Sequence, residues 1–218
     1  MVEPTHMPID GGLLKLSQWL SPGFPISAYA YSHGLETAIA RGDVRDAETL
    51  GDWIITVLAA GAGRSDAILL CLTLKGDMPV ETLAEMAEAL AGSAERWEET
   101  RAQGMAFAET LRPMGYELDD AAYPVVLGQA ARGLDLAEHT VAALFLQSFA
   151  ANLVSVGVRF IPLGQTEGQN VLAGLHETAQ SVAVAAAEAG AEDLGGAAFA
   201  SDLAAMAHET QEVRLFRS

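Results

Sequence analysis

The chain has 218 residues, half of them hydrophobic and 19% charged, so it carries enough apolar surface to bury a core and is not a disordered polymer. Twelve Lys and Arg against 29 Asp and Glu leave a net charge of −17, which repels nucleic acid and anionic bilayers at long range and removes both from the expected partners. The single cysteine, Cys71, lies in an apolar run with no disulfide partner, which fits a small buried hydrophobe in a reducing, cytoplasmic setting.

Met1 to Gly12 mixes acids and prolines without a basic n-region, so it reads as a leader, flexible over about residues 1–10, and not as a secretory signal. Next come two prolines in Ser21-Pro22-Gly23-Phe24-Pro25, and Ser27 is then placed to cap a helix that sets Tyr29, Ser32, His33 and Glu36 on one face beside Tyr31. Gly34 inside such a helix costs about 1 kcal/mol relative to Ala, which implies that another backbone approaches there. That face is either a tight helix crossing or a surface for a partner.

Trp53, Val57 and Leu58 follow Asp46, Glu48 and Asp52 at helical spacing, and acids early in a helix suit its positive end. Leu83, Met86, Ala87 and Leu90 make a second amphipathic stripe, with Glu81, Glu85 and Glu88 turned elsewhere. Thr140 to Val158 approaches membrane-spanning length but contains Gln147, Asn152 and Ser155, so it reads as a buried helix. Its Leu144, Phe145, Leu146, Phe149 and Leu153 cover several faces, which predicts a place at the centre of the domain.

A helix beginning after Gly164 would line Gln165, Gln169, His176 and Gln180 into one uncharged polar stripe, opposite Val171, Leu175, Thr178 and Val182. The stripe fits a wet face, a hydrogen-bonding network or a docking surface. Arg159, between Val158 and Phe160, needs an acidic partner if it is buried. The chain closes on Leu215 and Phe216 flanked by Arg214 and Arg217, an end that gains order only by docking. It docks either on its own core or, the reading preferred from sequence, on another subunit.

Short turn clusters separate these stretches, with no linker and no repeat of fixed period. The expected architecture is all-α, a single-domain bundle of roughly eight to ten helices. Catalytic signatures are missing. Gly61-Ala62-Gly63-Arg64-Ser65 lacks the lysine of a phosphate loop, no Gly-x-Ser-x-Gly elbow occurs, and the five histidines lie far apart, so no metal site and no autonomous enzyme is expected.

Several strings, taken in order, carry a resemblance. They are Pro25-Ile26-Ser27-Ala28-Tyr29-Ala30-Tyr31-Ser32-His33-Gly34-Leu35-Glu36, Tyr123-Pro124-Val125-Val126, and Gln147-Ser148-Phe149 through Asn152-Leu153-Val154-Ser155. Arg159-Phe160-Ile161-Pro162-Leu163-Gly164-Gln165-Thr166-Glu167-Gly168-Gln169 follows, then Ser201-Asp202-Leu203, His208-Glu209-Thr210-Gln211 and Arg214-Leu215-Phe216-Arg217-Ser218. With these strings the sequence resembles the UreF family of urease accessory proteins over nearly its whole length. It departs from the usual pattern at Ile26-Ser27, where Val-Gly is common, at His33, where Gln is frequent, and at Thr100, where Ser is familiar.

The resemblance implies a cytoplasmic, all-helical, non-catalytic protein that dimerises and joins UreD (also called UreH) and the nickel-carrying GTPase UreG. That complex delivers nickel to apo-urease, so nickel is cargo and no cofactor is permanently bound. The surfaces expected to meet partners are Tyr29, Tyr31, Ser32, His33 and Glu36, the corner Arg159, Gln165 and Gln169, and the end His208, Glu209, Gln211, Arg214, Leu215, Phe216 and Arg217. Arg159 is expected to dock; a trans-acting role on the GTPase ranks below that. A nickel-holding chaperone using His208 and Glu209 or His33 and Glu36 is the main alternative, and a helical hydrolase using the His33/Glu36 face is a third.

Overall fold

The computed structural model describes residues 10–211 and 214–216. Among them the chain forms α1 (Gly11–Trp19), α2 (Leu35–Arg41), α3 (Ala47–Ala60), α4 (Ala62–Lys75), α5 (Val80–Ala89), α6 (Ala94–Leu111), α7 (Tyr123–Ala131), α8 (Glu138–Phe160), α9 (Gln165–Gly174), α10 (His176–Glu188) and α11 (Phe199–His208). No strand occurs among these residues, and the all-α expectation holds. Only Gly61 separates α3 from α4 and only Leu175 separates α9 from α10, so counting each joined pair once gives nine helices.

Local chemistry fixes several starts. The Asp10 carboxylate accepts from the Gly12 N–H at 2.7 Å and caps α1; positions 1–9, on which the expected flexible leader falls, lie outside the described residues. Asp46 and Thr49 close a capping box at α3, each side chain taking the other's backbone N–H. Ser93 accepts from the Arg96 N–H and starts α6.

The core is built around two apolar helices. α8 packs against α10, α4, α9, α2 and α3, and it buries Val141, Ala142, Phe145, Leu146, Leu153 and Val156 as its several apolar faces require. α4 is the more enclosed of the two, with an unbroken buried run from Ser65 to Thr73. The segment Ala47–Lys75 and α8 are both long and apolar enough to cross a membrane by length and composition, yet each packs its apolar residues into this core. Cys71 lies fully buried in α4, where burial pushes its thiol up to about 12 and leaves it unreactive.

Candidate partner-docking site

The segment before α2 departs from the predicted helix. Ser27 takes a left-handed backbone (φ 56°) and makes no cap; Ala28–Ala30 form a single 3-10 turn, and Tyr31 is extended. His33 (φ 52°) and Gly34 (φ 75°) then reverse the chain into α2. Tyr29, Ser32, His33 and Glu36 therefore do not share one helical face. Tyr29 is exposed, Tyr31 and Glu36 are buried, and Ser32 is fully enclosed, its hydroxyl accepting from the Glu36 N–H. The expectation for Gly34 holds by another route: a Cβ there would lie 2.6 Å from the Ala205 nitrogen of α11, so another backbone does crowd it.

The reversal delivers Glu36 beneath the end of α11, where four polar side chains meet. His208, fully buried, sets Nδ1 2.8 Å from Glu95 Oε2 and Nε2 3.3 Å from Glu36 Oε2. Arg214 Nη1 donates to Glu95 Oε1 at 2.5 Å. The Glu36 carboxylate also accepts the Leu215 N–H at 3.0 Å and the Phe216 N–H at 2.9 Å. Around this quartet, Glu209 takes the Ala94 N–H at 2.9 Å, and the Thr37 hydroxyl donates to Gln211 Oε1 at 3.0 Å. Phe216 is buried against Phe160, ring centroids 5.5 Å apart, with the Arg159 guanidinium 5.7 Å from its own ring centre. Of the two docking surfaces open to the tail from sequence, its own core holds residues 214–216 in this single chain. Arg217 lies outside the described residues.

Arg159 is exposed, so the condition that would have demanded an acidic partner does not arise. It joins Ala151, Ser155, Gln165 and Gln169 around a groove of about 330 Å³ between α8 and α9. Gly168 lets those helices close up, since a Cβ there would meet Val158 at 2.6 Å. Gln165, Gln169, His176 and Gln180 are all exposed, but Leu175 breaks the helix between the first pair and the second.

His33 belongs to a different cluster, deeper in the bundle. Its Nε2 pairs with Glu99 Oε1 at 3.1 Å and its ring lies 4.5 Å from that of Phe149. Arg96 Nη1 pairs with Glu99 Oε2 at 3.1 Å and its Nη2 with Asp66, while Gln103 donates to Glu99 at 2.9 Å. Burial works to raise the Glu99 carboxyl, but His33 and Arg96 together hold it below the usual glutamate range. Burial wins at Asp66, whose carboxyl is pushed up despite Arg96. His33, Asp66 and Arg96 separate a cavity of about 50 Å³, walled by Trp19, Tyr123, Phe145 and Phe149, from one of about 170 Å³ lined by Ser65, Ser93, Ser201 and Asp202. Among the described residues no three His, Cys, Asp or Glu side chains are arranged to hold a metal ion.

The sequence reading missed Glu95, Asp66, Arg96 and Glu99. The i,i+3 spacing of Arg96 and Glu99 was a usable signal; the approach of Glu95 to the tail, more than a hundred residues away, was not. A second overlooked feature is the outer side of α11. Phe199, Leu203 and Met206, at i, i+4 and i+7, are 71%, 62% and 47% exposed while Ser201, Ala204 and His208 face inward. With Leu215, 77% exposed, they put large apolar side chains into solvent on the helix and tail that Glu36 secures.

Comparison with known proteins bears on this arrangement. A sequence profile of the UreF family matches residues 44–176. The urease accessory protein UreF of Jannaschia sp. (strain CCS1) is 55% identical over 210 residues, covering 95% of each chain. That of Cereibacter sphaeroides (strain KD131 / KCTC 12085) is 56% identical over 211 residues, 96% of this chain and all of the relative. That of Mesorhizobium japonicum is 43% identical over 224 residues, 98% of this chain and all of the relative. With identities of this size over almost its full length, the chain belongs to the UreF family of urease accessory proteins.

Proposed function

We propose that the chain is an adaptor in urease maturation: it recruits the nickel-carrying GTPase UreG together with UreD (UreH), and that assembly inserts nickel into apo-urease. Nickel is then cargo passing through or beside the complex. In this reading the protein has no reaction centre of its own, acts in the cytoplasm and works as a dimer.

The observation that carries the proposal is the convergence at the end of α11. Two distant parts of the chain, α2 and the N-terminal end of α6, meet there to hold the tail, and the result is a rigid mount beneath an exposed apolar face. Burying Phe199, Leu203, Met206 and Leu215 against a partner would add roughly 1.5–3 kcal/mol each before ordering costs, which is the scale of an interface anchor. Arg159 and the Gln165/Gln169 groove lie beside the tail and extend the surface, with Arg159 a docking contact.

The test is co-purification with UreD and UreG. Deleting Val213 to Ser218 is expected to abolish assembly with UreD while the helical circular-dichroism signal stays intact. Undiminished capture of UreD by the shortened chain would refute the reading. The chaperone alternative is decided separately, by equilibrium dialysis: retention of nickel at about micromolar affinity by the purified chain alone would favour it.

A further inference from the structure

The seat of the tail is built like a peptide-recognition site, and each part of the segment is read by a different group. The Arg214 side chain meets Glu95 of α6. The next two backbone N–H groups, of Leu215 and Phe216, are both taken by the Glu36 carboxylate of α2, which fixes the bent main chain there as well as its side chains. The Phe216 ring is buried on Phe160 and faced by Arg159, both of α8. Leu215, between the two, points into solvent and is not read. The register that follows is Arg-x-Phe.

None of the reading groups is a sequence neighbour of the tail, and all stand on core helices. His208, wedged between Glu36 and Glu95, holds both carboxylates in place, so the site does not need the tail to form it. Space remains beside the bound segment: a groove of about 460 Å³ bordered by Tyr31, Glu95 and Glu98, and one of about 370 Å³ bordered by Tyr29, Ala30, Arg159 and Phe160. The acidic rim of the first, in a chain of net charge −17, complements a basic ligand, and the aromatic floor of the second complements a ring.

We propose that this groove is a recognition site for a bent Arg-x-Phe segment, filled in the single chain by its own Arg214-Leu215-Phe216 and open to the same basic–aromatic motif carried by a partner polypeptide. The tethered tail competes at an effective concentration set by its short linker, so the site is masked until the tail lifts or a stronger segment displaces it. Release of the tail and capture of a partner segment are thus two sides of one exchange. The claim concerns the isolated chain and a peptide, so its outcome is read independently of any urease assembly.

The experiment uses the full-length chain and a fluorescein-labelled peptide of residues 211–218, followed by anisotropy. The Phe216→Ala chain, its groove vacated, is expected to bind the peptide saturably and about tenfold or more tighter than wild type, whose own tail competes. Arg214→Ala, which removes a half-exposed contact, is the second vacated chain and should behave alike. On either folded chain, peptides carrying the Arg214→Ala or Phe216→Ala change should lose at least about tenfold, while a Leu215→Ala peptide binds like the parent. Absence of saturable binding to both vacated chains, or indifference to the Arg and Phe changes, overturns the proposal. Formation of a mixed dimer between the Phe216→Ala chain and wild type that wild type shortened by residues 213–218 does not form would also overturn it, assigning the groove to tail exchange between copies.

Discussion

Arg96 is the most consequential single side chain in the interior, because two buried carboxylates depend on it. Replacing it with Met leaves Asp66 and Glu99 without their shared cation, and breaking a buried pair from one side costs about 3–5 kcal/mol. Urea denaturation of Arg96→Met should show a loss of that order; a change under about 1 kcal/mol would mean the cluster is not formed in solution. The two carboxylates then differ in sign with pH. Glu99, held below the usual 4.5, contributes stability that is complete above that value and lost as pH falls through its depressed one. Asp66 is raised above 3.8, so stability is lost as pH climbs through its raised value. Glu99→Gln should therefore destabilise at neutral pH by an amount that shrinks in acid, and Asp66→Asn should cost less than Glu99→Gln at neutral pH. Denaturation midpoints measured across an acid series decide both.

Among the elements, the turn into α2 controls the rest. Gly34→Ala meets both a positive φ and the backbone of Ala205, and the two penalties together come to about 2–4 kcal/mol. Gly133→Ala, with open space around it and no such φ, should stay within about 0.5 kcal/mol. Equal losses at the two positions, read from thermal melts, would contradict the crossing of α11 over α2. This turn also marks where the sequence stopped being legible. Periodicity places α3, α5 and α8, because an amphipathic stripe is a local property. It placed a helix over Tyr29–Glu36 where the chain makes a 3-10 turn and a reversal, since left-handed backbone is uncommon in any residue but glycine, and Ser27 does not announce it and His33 does so only weakly. The polar types at His33, Glu36 and His208 were visible as unusual. Their division into two clusters was not, because each partner comes from a helix far along the chain.

At the scale of the whole molecule, the interior and the surface have separate tasks. The bundle around α4 and α8 is packed and gives the rigidity; the end of α11 and the tail carry exposed apolar side chains, and the α8–α9 groove carries the exposed guanidinium of Arg159 over the Phe216 ring. An adaptor needs that division, since a partner can be bound at low entropic cost only on a surface already fixed. Leu203→Asp tests it at one residue: 62% exposed, it should leave thermal stability unchanged within about 0.5 kcal/mol while weakening UreD capture by about tenfold or more. The most direct measurement is the activity gained by apo-urease incubated with nickel, UreD and UreG, with and without this chain. The account predicts that activation requires the chain and falls sharply with Leu203→Asp despite an intact fold. Equal activation in its absence would contradict it.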